Sequence, residues 1–116
     1  MSGPAGFTRV CSAAEVADGT ALAVDVDAFD VDRIAVVRQG DDWYAVEDEC
    51  SHAAIPLSEG DVEGCEIECW LHGSRFDLRT GKPSGPPATA PVAIYAVRVE
   101  GDDVLVDLDA PLNTTD

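Results

Sequence analysis

Basic residues are scarce in this sequence: 7 Lys and Arg stand against 23 Asp and Glu, a formal net charge of −16. Nucleic acid is therefore excluded as a partner, because binding it takes clustered Lys and Arg. Either a basic face on another protein, steered to it by long-range charge, or a generally acidic surface that keeps the protein soluble accounts for this charge. The chain also lacks any apolar run near the roughly 20 residues that span a bilayer, so no membrane segment is expected. No basic-then-apolar leader opens it, which implies a cytoplasmic location. Histidine is scarcer than any of these, with 2 in 116 residues. No internal repeat, long amphipathic helix or linker divides the chain, so residues 1–116 are expected to form one domain with a modest core.

Both histidines fall in one pattern. Cys50-Ser51-His52 is followed, after 16 intervening residues, by Cys69-Trp70-Leu71-His72. Each short stretch offers one soft thiolate and one imidazole, ligands suited to zinc, copper or iron–sulfur centres. Without a secretory leader, the cysteines read as metal ligands rather than disulfides. Two half-buried histidines beside two core thiols would leave the shared spacing unexplained. Zinc fingers usually pair like with like at each end of the site, although a mononuclear zinc accepts a mixed set. A two-iron centre held by two thiolates and two imidazoles accounts for the split more fully, each stretch giving one ligand of each kind. The other two cysteines, Cys11 and Cys65, read as small buried hydrophobes, with a ligand role in a different site the alternative for Cys65, four residues before Cys69. No further histidine remains to serve as a base or to build a second iron site, so no catalytic constellation is expected and the chain is not read as an enzyme.

Turn signals cut the rest into short strands. Phe7-Thr8-Arg9-Val10 reads as an edge strand, and Ser12-Ala13-Ala14-Glu15 has the capping-box pattern of one or two helical turns ending near Gly19. Residues 20–26 alternate apolar and polar as a half-buried strand does. Residues 33–38 and 43–47 form a hairpin about Gln39-Gly40-Asp41-Asp42 that leads to Cys50. Ser58-Glu59-Gly60-Asp61 is a turn, 65–69 a strand into the second motif, and 75–79 a strand out of it, closed by Thr80-Gly81. Residues 83–91 hold 4 of the 7 prolines and exclude a central strand. Residues 93–99 and 104–108 pair about Gly101-Asp102. The fold class is all-β: antiparallel sheets forming a sandwich or partly open barrel. The base spans about 7–47 and 92–109, and a smaller subdomain spans about 48–91.

Cys50-Ser51-His52 and Cys69-Trp70-Leu71-His72-Gly73-Ser74-Arg75-Phe76-Asp77 resemble the two cluster-binding loops of Rieske proteins. With Thr80-Gly81-Lys82 and the proline-rich run, the sequence is similar to the soluble Rieske ferredoxins of bacterial ring-hydroxylating dioxygenase systems, over roughly residues 7–108. The resemblance implies antiparallel sheets with a two-loop cluster subdomain, and one 2Fe-2S cluster per chain. Cys50 and Cys69 would hold the inner iron, and His52 and His72 the outer iron that takes up the electron. The proline-rich run would shield the cluster from water. It implies a monomeric one-electron carrier between a flavin-containing NAD(P)H reductase and a terminal non-haem iron oxygenase. A small Rieske subunit of another reductase complex and a Cys2His2 zinc module are the alternatives. High-potential members link the two loops by a disulfide, where this chain has Ile55 and Leu71, and place a tyrosine where it has Phe76. Their serine beside a bridging sulfide is matched by Ser74. With two of those three devices missing, a potential low in the Rieske range is expected. Arg75, Arg79 and Lys82, just past the second loop, would either offset cluster charge or be solvated strand ends.

Overall fold

Residue 36 marks the middle layer of the molecule, and the layers on either side follow from the alternation of side chains around it. The computed structural model describes residues 7–26, 31–49, 56–69, 75–83, 91–108 and 112. Among the described residues there are ten strands: β1 (Phe7–Ser12), β2 (Thr20–Asp25), β3 (Arg33–Gln39), β4 (Asp42–Glu47), β5 (Val62–Glu63), β6 (Glu66–Glu68), β7 (Arg75–Asp77), β8 (Ile94–Tyr95), β9 (Val97–Glu100) and β10 (Asp103–Asp107). They form three open sheets, ordered β1-β10-β9, β2-β3-β4-β8 and β5-β6-β7, in which every pairing is antiparallel.

The four-stranded sheet is covered on both faces. Successive side chains of a strand point to opposite sides. Accordingly Ile34 and Val36 of β3 join one buried cluster, with Cys11, Val104 and Val106 from the β1-β10-β9 sheet. Their neighbours Ala35 and Val37 join another, with Ile67 and Phe76 from the β5-β6-β7 sheet. Strand β4 divides in the same way, Trp43 and Ala45 to the first side, Tyr44 and Val46 to the second. A strand buried on both faces reads as a continuous apolar run, and Ile34-Ala35-Val36-Val37 is one.

The turns obey local chemistry. Gly40 and Gly101 each open a two-residue hairpin with positive φ, at 65° and 63°. A type II′ turn asks for glycine there. At Ser12 the capping box forms: its amide donates to Glu15 Oε2 at 2.9 Å and its hydroxyl accepts from the Ala14 amide. Only one 3-10 turn follows, Ala13–Glu15.

Three expectations change. Residues 93–99 are not one strand, because the chain changes sheets at Ala96: β8 pairs with β4, and β9 with β10. The expected turn at 58–61 begins earlier, as a 3-10 turn over Leu57–Glu59 with Leu57 wholly buried. Cys65 is not a core residue. It is half-buried in the β5–β6 turn with φ 66°, next to Gly64 at 59°. Glu63 pairs with Glu66 around them, and such a two-residue turn needs both central residues left-handed. Cys11 is buried, as read from the sequence.

Candidate metal centre

Of the four motif residues, Cys69 lies within the described structure; Cys50, His52 and His72 lie outside it. So do Ser74 and most of the proline-rich run. The surrounding framework nevertheless shows how the two motif stretches are anchored.

Cys69 directly follows β6. Cys69 is 1% exposed and belongs to the apolar cluster of Leu57, Ile67, Phe76 and Leu78. Glu68 pairs with Arg75 across β6 and β7, so residues 69–74 connect two paired strands, and Cys69 and His72 share one hairpin connection. A free, dry thiol at the mouth of such a hairpin suits a soft metal centre.

The other stretch leaves the end of β4 and returns at the turn Leu57–Glu59. Asp48, 3% exposed, bridges these two stems. Its Oδ1 accepts from the Ser58 amide at 2.6 Å and its Oδ2 from the Ser58 hydroxyl at 2.8 Å. The Arg33 guanidinium on β3 completes the shell, with Nε 3.2 Å from Oδ2. A buried carboxylate is costly unless paired and hydrogen-bonded, and this one is both.

A second fastening joins the stems of the two stretches to each other. The Glu68 amide donates to the Asp61 carbonyl at 2.8 Å. Gly60 lies so close that a Cβ there would stand 1.5 Å from the Glu68 carbonyl oxygen. Glycine is required by this approach, not by its φ. Leu57, from the first stem, and Cys69, at the start of the second stretch, are buried in the same cluster.

The surroundings are acidic. Glu59, Asp61 and Glu63 are exposed, and Glu66 and Glu68 half-buried. Arg75 Nη1 stands 3.9 Å from a Glu63 oxygen and 3.7 Å from a Glu66 oxygen, and Arg79 pairs with Asp77. These two arginines thus offset local carboxylates. The hydrogen bond from Arg79 holds the Asp77 carboxyl below its usual range. Burial, reinforced by a contact with the Cys65 sulfur at 3.7 Å, pushes the Tyr44 hydroxyl up to about 12. The sequence singled out neither Asp48 nor Gly60. Asp48 is one of 23 acids, and Gly60, though read as part of a turn, carries no local sign of its contact with Glu68.

Three comparisons bear on this arrangement. The sequence profile of the family described as Rieske 2Fe-2S domain matches residues 6–96. The chain is 42% identical over 102 residues to the biphenyl dioxygenase ferredoxin subunit of Pseudomonas sp. strain KKS102, covering 87% of this chain and 91% of that protein. Among solved structures, it is similar to the ferredoxin of carbazole 1,9a-dioxygenase from Nocardioides aromaticivorans IC177, with a TM-score of 0.78 and 42% identity, over 86% of this chain and 95% of that one. It is also similar to a chain from a complex of reduced oxygenase and oxidized ferredoxin in carbazole 1,9a-dioxygenase, with a TM-score of 0.80 and 36% identity, over 92% and 97%.

Proposed function

The chain belongs to the Rieske 2Fe-2S family, and from that premise we infer that it is the ferredoxin of an aromatic-ring dioxygenase system, a one-electron carrier rather than an enzyme. The observation that carries this reading is the breadth of the match: 91% of a dioxygenase ferredoxin subunit is covered at 42% identity. One 2Fe-2S cluster per chain supplies the chemistry, taking up and giving back a single electron.

The ligands we assign are Cys50 and Cys69 for one iron and His52 and His72 for the other. Two imidazoles in place of two thiolates remove two negative charges, which favours reduction. The apolar cluster of Leu57, Ile67, Phe76 and Leu78 keeps water from the Cys69 sulfur. Residues 48–91 act as the cluster-binding unit on a base of about 7–47 and 92–109.

The partners are a terminal oxygenase, which accepts the electron, and a flavin-containing NAD(P)H reductase, which donates it. The protein works as a monomer in the cytoplasm. Among the described residues no helix is long and apolar enough to cross a membrane. The acidic rim of Glu59, Asp61 and Glu63 favours a basic docking face, with weak contacts that exchange quickly.

Iron and acid-labile sulfide analysis of purified protein tests the assignment. Two of each per chain are expected, with a red-brown colour; stoichiometric zinc without sulfide overturns it. Electron delivery to the oxygenase should slow as ionic strength rises, because screening removes the steering. Rates that stay flat from low to high salt would show that the acidity serves the surface in general.

A further inference from the structure

The carboxylate of Asp48 does more than balance Arg33. It stands two residues before Cys50, at the point where the chain leaves the central sheet. Both its oxygens are used: Oδ1 by the Ser58 amide at 2.6 Å, and Oδ2 by the Ser58 hydroxyl at 2.8 Å and Arg33 Nε at 3.2 Å. Its backbone is fixed as well, since the Asp48 amide donates to the Arg33 carbonyl at 3.1 Å. Ser58 in turn sits beside Leu57, which is buried in the cluster that holds Cys69. One side chain therefore pins the departing stem, the returning stem and the first residue of β3.

The carboxylate is buried but the Arg33 side chain is 46% exposed, and such a half-screened pair adds little net stability, so stability alone is a weak reason for it. Fixed geometry is a better one, because two charge-assisted bonds to one serine define both distance and direction. We propose that Asp48 is a positioning residue for the iron–sulfur centre, clamping both ends of the segment that bears Cys50 and His52 and so setting where those ligands stand relative to Cys69. The proposal rests on the ligand assignment above.

The test compares four holoprotein variants with wild type. Asp48→Asn keeps the shape and removes the charge, while Ser58→Ala removes one of the two serine bonds. Ser58→Thr keeps the hydroxyl, and Val104→Ala weakens the core on the far side of the central sheet. The measurements are iron and sulfide content, thermal midpoint, the electron paramagnetic resonance line shape of the reduced protein, and the rate of iron release to a chelator. Asp48→Asn and Ser58→Ala should broaden the resonance and release iron about tenfold faster than Val104→Ala, a size usual for residues that orient metal ligands. Ser58→Thr should restore both readouts.

If Asp48→Asn and Ser58→Ala keep the wild-type line shape and lose iron only in proportion to their lowered midpoint, the clamp is structural and the proposal falls. Should Asp48→Asn fail to accumulate, Ser58→Ala against Ser58→Thr decides the same question. A wild-type protein without iron and sulfide overturns the ligand assignment and the proposal together. A loaded wild type whose variants match Val104→Ala overturns the proposal alone.

Discussion

The β1-β10-β9 sheet and the β5-β6-β7 sheet each have three strands, and each packs against one face of the same central sheet. In the first, neighbours pair over five and four residues; in the second, over two and three. The first sheet contributes Cys11, Val104 and Val106 to its cluster, the two valines from β10, which a tight hairpin joins to β9. The second contributes little more than Ile67 and Phe76, and its stability depends on connections between distant segments: Asp48 to Ser58, Gly60 against Glu68, Leu57 in the core. Strands this short are marginal by themselves. The difference teaches that the first sheet is built like an ordinary β domain, whereas the smaller sheet relies on contacts between distant segments, as a holder completed by its proposed cluster would. Ligand binding to a folded state adds to its stability, and metal sites do so strongly.

Removing the iron should therefore separate the two regions more than any single substitution. After chelation, amide exchange should quicken in β6 and β7 while β3, β4 and β10 keep their protection. Uniform loss across all three sheets would break the comparison. Substitution of any one of Cys50, His52, Cys69 or His72 by Ala should act in the same direction and abolish or severely weaken the visible spectrum. Cys65→Ser should leave the spectrum intact, because Cys65 lies in the β5–β6 turn.

Next in size is Gly60→Ala. A methyl group 1.5 Å from the Glu68 carbonyl forces the two stems apart. The expected cost is about 1–3 kcal/mol, typical of overpacking, read as a lower denaturant midpoint together with lower iron content. An equal loss of stability with full iron occupancy would show that the stems need not touch for the centre to load.

A smaller effect concerns the potential. Phe76 is wholly buried in the cluster that holds Cys69, and its ring offers no hydrogen-bond donor. The wild-type value should lie in the lower half of a range of roughly −150 to +300 mV. Phe76→Tyr should raise it, since a donor to a sulfur ligand favours the more negative reduced state. Ser74→Ala should lower it. Protein-film voltammetry on the three proteins checks all of this, and a wild-type potential in the upper half would overturn the expectation.

The smallest expected effect is acid sensitivity at Asp77. Arg79 lowers its folded pKa below the unfolded value of 3.8. Its contribution is therefore present above that unfolded value and is lost as pH falls through the lower, folded one. Because Arg79 is 64% exposed, the pair is well screened and the contribution small. Asp77→Asn should flatten the acid limb of the stability curve in the β7 region and leave the base unchanged, as exchange at low pH would report.

Much of the base was legible from residue order. The run Ile34-Ala35-Val36-Val37, the glycine-led turns at Gly40 and Gly101, and the capping box at Ser12 are short-range patterns, and each of them formed. The candidate centre was legible as spacing, since two Cys–His pairs are rare enough to stand out in a chain with two histidines. Cys65 was misread. Apolar character suggested burial, whereas the Gly64-Cys65 pair makes a left-handed turn that leaves it half-buried.

By itself the sequence determined the strand-rich class, the hairpin turns and the identity of the candidate ligands. The strands and turns depend on residues within a few positions of one another, and the ligand pattern on two such short stretches, where periodicity, turn chemistry and ligand type act directly. The tertiary structure alone decided which carboxylate is buried among the described residues, which glycine meets a carbonyl, and that the chain changes sheets at Ala96. Each of those depends on what another segment, far along the chain, places beside it. Asp48 becomes a clamp because Arg33 and Ser58 reach it, and Gly60 becomes indispensable because Glu68 lies against it.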